Sequence, residues 1–95
     1  MKTNKIYILS SFNGVKTNIK IGITNNIEKR LKSIRTGNPN KVELEHIEEI
    51  PNHINIRDFE NWLHSIFGTS RMEGEWFSNL TVKEVRKKIF NFLMK

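Results

Sequence analysis

Residues 6–9, Ile6-Tyr7-Ile8-Leu9, and residues 19–24, Ile19-Lys20-Ile21-Gly22-Ile23-Thr24, decide the fold. Both are rich in residues that fit a pleated surface, and Asn13-Gly14 between them favours a turn, so the two read as an antiparallel hairpin. Side chains alternate across a strand. If the isoleucines of both strands pair on the core face, Tyr7, Lys20 and Gly22 share the opposite, open face. A glycine in a strand often marks the close approach of a ligand or another backbone. The plainer reading makes Tyr7 and Lys20 ordinary strand residues and Gly22 a bulge.

Downstream of the hairpin, Thr24, Asn25 or Asn26 caps a helix running to about Thr36, with Ile27, Leu31 and Ile34 on one stripe. Gly37-Asn38-Pro39-Asn40 ends it. A third strand follows over 41–50, with Val42, Leu44 and His46 facing away from Glu43, Glu45 and Ile47, and Pro51 breaks it. A second helix covers about Arg57 to Phe67 and buries Phe59, Trp62, Leu63, Ile66 and Phe67. Trp76 and Phe77 close the domain over the sheet. Thr81, with Glu84 three residues on, forms a capping box for a last helix whose seam is Val82, Val85, Ile89 and Leu93. The expected architecture is α+β: a small three-stranded antiparallel sheet with flanking helices, in the order β-β-α-β-α-α, as one domain over 1–95.

Composition bounds what such a domain does. Ninety-five residues build one core with little to spare. No cysteine is present, which excludes a disulfide framework and a thiolate zinc site. The first residues carry no long apolar run, so neither a signal peptide nor a membrane span is expected. The net charge of +6 attracts polyanions, although a merely solvated basic surface has the same balance.

Three further residues have the chemistry of a site. Arg30 falls about 40° around the helix from Ile34, at the edge of the buried stripe. Its stem is therefore packed and its guanidinium held, either as a structural arginine or as a fork that suits phosphate. Lys29, Lys32 and Arg35 lie elsewhere and read as solvated charge. Glu60 lies about 20° from Phe67 on the helix wheel, again at an apolar border. His64 follows one turn on, close enough to share a ligand with Glu60 or to bond with it. A lone carboxylate completed by water and substrate phosphate is the usual way to hold Mg²⁺. The charged members of the loop Arg71, Glu73 and Glu75 are placed to line a groove.

Taken in order, these residues resemble the GIY-YIG nuclease superfamily, most closely a compact branch found in phage and other mobile-element proteins. The first motif is represented by Lys5-Ile6-Tyr7 and the second by Lys20-Ile21-Gly22-Ile23-Thr24. Arg30 stands at the helix arginine, Glu60 at the metal-binding glutamate, and Gly74-Glu75-Trp76-Phe77 closes the pattern. Lys5 replaces the first glycine and Lys20 the tyrosine of the second motif, while Asn79 is the candidate for the polar asparagine near the domain's end. The resemblance implies a metal-dependent endonuclease using Mg²⁺ or Mn²⁺ on nucleic acid, DNA foremost, in the cytoplasm of a bacterial or phage-infected cell. Tyr7, Lys20, Arg30, Glu60 and His64 would be its catalytic residues, with the metal on Glu60. Lys20, Arg30, Arg35 and Arg71 would contact the nucleic acid.

In that scheme Tyr7 takes a proton from the attacking water. An ordinary tyrosine has a pKa near ~10, and Lys20 is placed to assist it. Tyr7, Lys20, Arg30 and Glu60 are expected on one concave face. With no room for a separate recognition domain, targeting would fall to a partner, a dimer or a structured substrate. The alternatives are a nucleic-acid-binding module that keeps the fold without cutting, and a small domain whose basic surface binds an acidic protein.

Overall fold

A computed structural model describes residues 4–68 and 76–94. Four strands and three helices follow the chain as β1 (Lys5–Phe12), β2 (Thr17–Thr24), α1 (Ile27–Thr36), β3 (Lys41–Glu49), α2 (Ile56–Ile66), β4 (Trp76–Phe77) and α3 (Val82–Leu93). The strands form one antiparallel sheet in the order β3-β1-β2-β4. The fold is the small α+β domain expected, with one strand more. Trp76 and Phe77 do not simply cap the sheet but extend it, pairing with Lys20 and Ile19 at its edge. A two-residue strand carries no periodicity of its own, so only its pairing reveals it.

The hairpin forms where Asn13-Gly14 places it. Gly14 takes a φ of 95°, open to glycine, and the Asn13 side chain accepts from the backbone of Val15 and Lys16 at 2.9 and 3.0 Å. Helix starts follow side-chain caps: Asn26 for α1, Asn55 for α2 and Thr81 for α3 each accept from a backbone N–H of the first turn. At α3 the capping box is seen, with Thr81 donating to the Glu84 carboxylate at 3.0 Å while the Glu84 N–H donates to the Thr81 hydroxyl at 3.1 Å.

Both faces of the sheet are covered. Ile6, Ile8, Ile19 and Ile21 pack with Phe59 and Leu63 of α2, Phe77, and Val85 and Ile89 of α3 in the main core. Tyr7, Leu9 and Val42 form a smaller cluster with Ile27, Leu31 and Ile34 of α1 and with Trp76. The face read as open thus lies beneath α1, whose apolar stripe needs a surface to cover.

Two other expectations are corrected. The alternation of β3 breaks at a bulge, because Ile8 pairs with His46 while Leu9 pairs with Leu44, leaving Glu45 as the extra residue. Glu45 accepts from the Ser10 hydroxyl at 2.6 Å. Beyond the bulge the parity reverses: Ile47 shares a face with Tyr7, and His46 turns to the α2–α3 side instead of following Val42. On α2, Trp62 and Ile66 are exposed rather than buried. Trp62 lies over the edge of the core, with ring centroids 5.9 Å from Phe59 and 5.4 Å from Phe92.

Candidate functional site

The site is built around Tyr7. In the regular β1–β2 ladder Tyr7 lies opposite Gly22, so Gly22 is not a bulge. A Cβ added at Gly22 would overlap the phenol oxygen and the ring carbon that bears it, and would lie 2.9 Å from a neighbouring ring carbon. The absence of a side chain at this one position lets the Tyr7 ring lie flat across β2. The ring is 1% exposed, packed in the cluster under α1.

Its oxygen meets α1. The Asn26 cap starts that helix, and Arg30 completes its first backbone bond to the Asn26 carbonyl at 3.1 Å. One turn into α1, Arg30 is exposed to solvent but its Nε donates to the Tyr7 phenol oxygen at 3.1 Å. The guanidinium is therefore held, as its place on the helix edge implied, and the atom that holds it is the Tyr7 phenol oxygen. A shallow pocket lined by Thr24, Asn26, Lys29, Arg30 and Ser33 opens beside the pair.

Lys20 lies on the same face of β2 as Gly22 and is 7% exposed. Its ammonium sits 5.6 Å from the Trp76 ring centroid, a cation–π contact across the β2–β4 pair. Sequence reasoning took Trp76 only as core. A lysine and an aromatic at opposed positions of two strands would have been the signal, had the short β4 been recognised.

Glu60 is half-buried on α2. That helix buries Phe59 and Leu63 in the main core, and Glu60 lies on it one turn before His64. His64 is turned to β2. It is buried, and its Nε2 donates to the backbone carbonyl of Ile21 at 2.9 Å while its ring meets Phe77 edge-on. This nitrogen pins α2 to β2. Arg35 is exposed as expected, yet its Nε and Nη2 donate to the Val42 carbonyl at 3.1 and 2.9 Å, tying α1 to β3. Asn79 is exposed and has a φ of 56°, the left-handed conformation that asparagine tolerates, so its local role is to turn the chain from β4 into α3. Arg71, with Glu73, Gly74 and Glu75, lies outside the described residues.

Among the described residues no three His, Asp or Glu side chains gather as a metal cage. A single half-buried carboxylate fits a hard cation only when water and substrate phosphate complete the shell, which is the common way of holding Mg²⁺. No helix among the described residues is long and apolar enough to cross a membrane.

Residues 4–93 match the T5orf172 domain, nearly the whole chain. No curated protein and no solved structure matches it.

Proposed function

The chain belongs to the T5orf172 domain family, and from that membership and the pairing of Tyr7 with Arg30 we propose that it is a metal-dependent endonuclease of the GIY-YIG type, acting on DNA. The observation that carries the reading is the 3.1 Å bond from Arg30 Nε to the Tyr7 oxygen. A buried phenol would serve packing equally well as phenylalanine. Here its oxygen is directed at an exposed cation beside a pocket, and a glycine is kept opposite to make room.

In hydrolysis, water attacks phosphorus, its proton passes to the Tyr7 phenolate, and the bond to the leaving sugar oxygen breaks, that oxygen taking a proton from solvent. A hydrogen bond from a guanidinium stabilises negative charge on the oxygen that receives the proton. The same guanidinium, exposed on its other edges to the pocket side of α1, offsets charge building on the phosphate. Lys20 adds a second positive charge on the Tyr7 face of β2. Glu60 would hold Mg²⁺ or Mn²⁺, which when bound supplies a Lewis acid for the phosphate and the leaving oxygen. His64, already committed to the Ile21 carbonyl, is a positioning residue that fixes α2 and so Glu60.

A second reading, a nucleic-acid-binding module that does not cut, is favoured by one observation: Tyr7, the general base of the first reading, is 1% exposed. Incubating purified protein with supercoiled plasmid and Mg²⁺ or Mn²⁺, beside Glu60→Ala, separates the two. Metal-dependent nicking lost in the variant supports the nuclease. Salt-sensitive DNA binding with no nicking by the wild type, whatever the metal, leaves the binding module.

A further inference from the structure

On α3, Lys83, Arg86, Lys87 and Phe90 recur at i, i+3, i+4 and i+7, the spacing of one helical stripe. All four are exposed, beside Ile89 of the buried seam, which lines the same groove. They line one groove with His46 and Glu48 of β3, the pair that the bulge at Glu45 turns toward this side of the sheet. None of this is used by Tyr7, Arg30 or Glu60.

The charges of the groove are unbalanced. His46 and Glu48 satisfy each other at 3.2 Å. Among the described residues Lys83, Arg86 and Lys87 form no ion pair, whereas Lys41 at the far end of β3 has Glu43 at 3.0 Å. Three cations placed side by side repel one another, a standing cost that a polyanion would turn into attraction. At the end of the row the Phe90 ring is 60% exposed, an aromatic face offered to solvent beside a cationic track. Cations that follow a backbone, next to an aromatic on which a base stacks, form the recurring pattern of single-strand binding. Bases in a duplex do not present their faces.

The dimensions agree. The seven helical steps from Lys83 to Phe90 span about 10 Å, room for a short stretch of strand and no more. With a volume of about 380 Å³ the groove is near the low end of clefts that enclose a whole ligand, roughly 300–1,000 Å³, as suits a strand lying across it.

We propose that the α3–β3 groove binds a single-stranded stretch of nucleic acid, with its phosphates on Lys83, Arg86 and Lys87 and a base stacked on Phe90. This rests on the nucleic-acid part of the functional reading but not on the chemistry at Tyr7, and its test needs no cutting. Binding of a fluorescent 15-nucleotide oligothymidine and of a duplex of equal length is measured by anisotropy, without metal, across a salt series. Arg86→Ala/Lys87→Ala is compared with Lys16→Ala/Lys88→Ala, which removes the same charge outside the groove. For single strands each lost phosphate contact flattens the salt slope by ~0.7, so the groove variant should lose about 1.4 in slope and at least tenfold in affinity, and the control much less. Phe90→Ala should weaken single-strand binding about tenfold and duplex binding little, and Phe90→Tyr should restore it.

Equal losses in the groove variant and the control would overturn the proposal in favour of a diffuse basic field. Wild-type groove affinity with Phe90→Ala would remove the stacking role. Absence of oligonucleotide binding together with capture of polyglutamate would make the groove a seat for an acidic protein. Should groove binding hold while plasmid is never nicked, the groove stands and the nuclease reading fails.

Discussion

Arg30 Nε and the Tyr7 phenol oxygen, 23 residues apart in sequence, meet at 3.1 Å above Gly22. Three separate elements must be in register for that contact. The β1–β2 ladder puts the glycine under the ring, and the Asn26 cap fixes where α1 begins and therefore which of its residues reaches the oxygen. Arg30 is one turn from the cap, whereas Arg35 on the same helix reaches β3.

Gly22→Ala tests that register. The new methyl would fall on the Tyr7 ring, which is packed on all sides and has nowhere to swing. Overpacking of this kind costs about 1–3 kcal/mol, to be read from urea unfolding. In a Tyr7→Phe background most of the cost should remain, because the ring carbon that bears the oxygen is as close to the new methyl as the oxygen is. A Gly22→Ala protein as stable as wild type would mean that the ring does not lie across β2.

His64→Leu should behave as a stability variant. It leaves the Ile21 carbonyl buried without its donor, a loss of about 1–3 kcal/mol. Well below the melting temperature, nicking should stay within a few-fold of wild type. A loss near a hundredfold in a variant that remains folded would return His64 to the proton chemistry.

Arg35→Ala separates a structural fork from a phosphate contact. Both of its described bonds end on the Val42 carbonyl, so unfolding free energy should fall by about 1–2 kcal/mol, while DNA affinity at fixed salt changes little. Arg35→Lys has no fork and should recover only part of the stability. Tenfold weaker DNA binding at unchanged stability would instead make Arg35 part of the nucleic-acid surface.

The contrast between Arg30 and Arg35 marks where sequence stops being informative. Helix spacing and caps located α1, α2 and α3 to within a residue or two, because those signals are local. The angle of Arg30 from the apolar stripe placed its guanidinium at the sheet edge, since a helix wheel is rigid. Arg35 lies off that stripe, and its partner is a backbone carbonyl, which every residue carries and which no pattern distinguishes. The bulge at Glu45 was hidden for a similar reason: pairing with β1 decides it, and alternation alone reads straight through. Strand alternation puts Tyr7 on the correct face, but alternation within the hairpin says nothing of the stripe of α1 that covers that face. The row on α3 was there to read at i, i+3, i+4 and i+7. Only the fold shows what its cations line.

Tyr7→Phe is the sharpest test of the chemistry. It deletes one oxygen and keeps the buried ring, so the fold and the oligonucleotide affinity should persist, while nicking falls at least the ~10²-fold associated with a general base. Arg30→Lys keeps a positive charge but loses Nε, the atom bonded to Tyr7, and the planar fork that grips phosphate. It should cut more slowly than wild type and faster than Arg30→Ala. If the two residues work as a unit, Tyr7→Phe/Arg30→Ala should be hardly slower than the worse of the single variants, since the second deletion removes a partner whose function is already gone. Glu60→Gln should abolish nicking by a separate route, as a neutral amide is a poor ligand for a hard cation, and DNA binding should survive. Strict additivity of Tyr7→Phe and Arg30→Ala would make their bond incidental to catalysis. Nicking by Tyr7→Phe at the wild-type rate would leave Tyr7 as a packing residue and move the general base elsewhere.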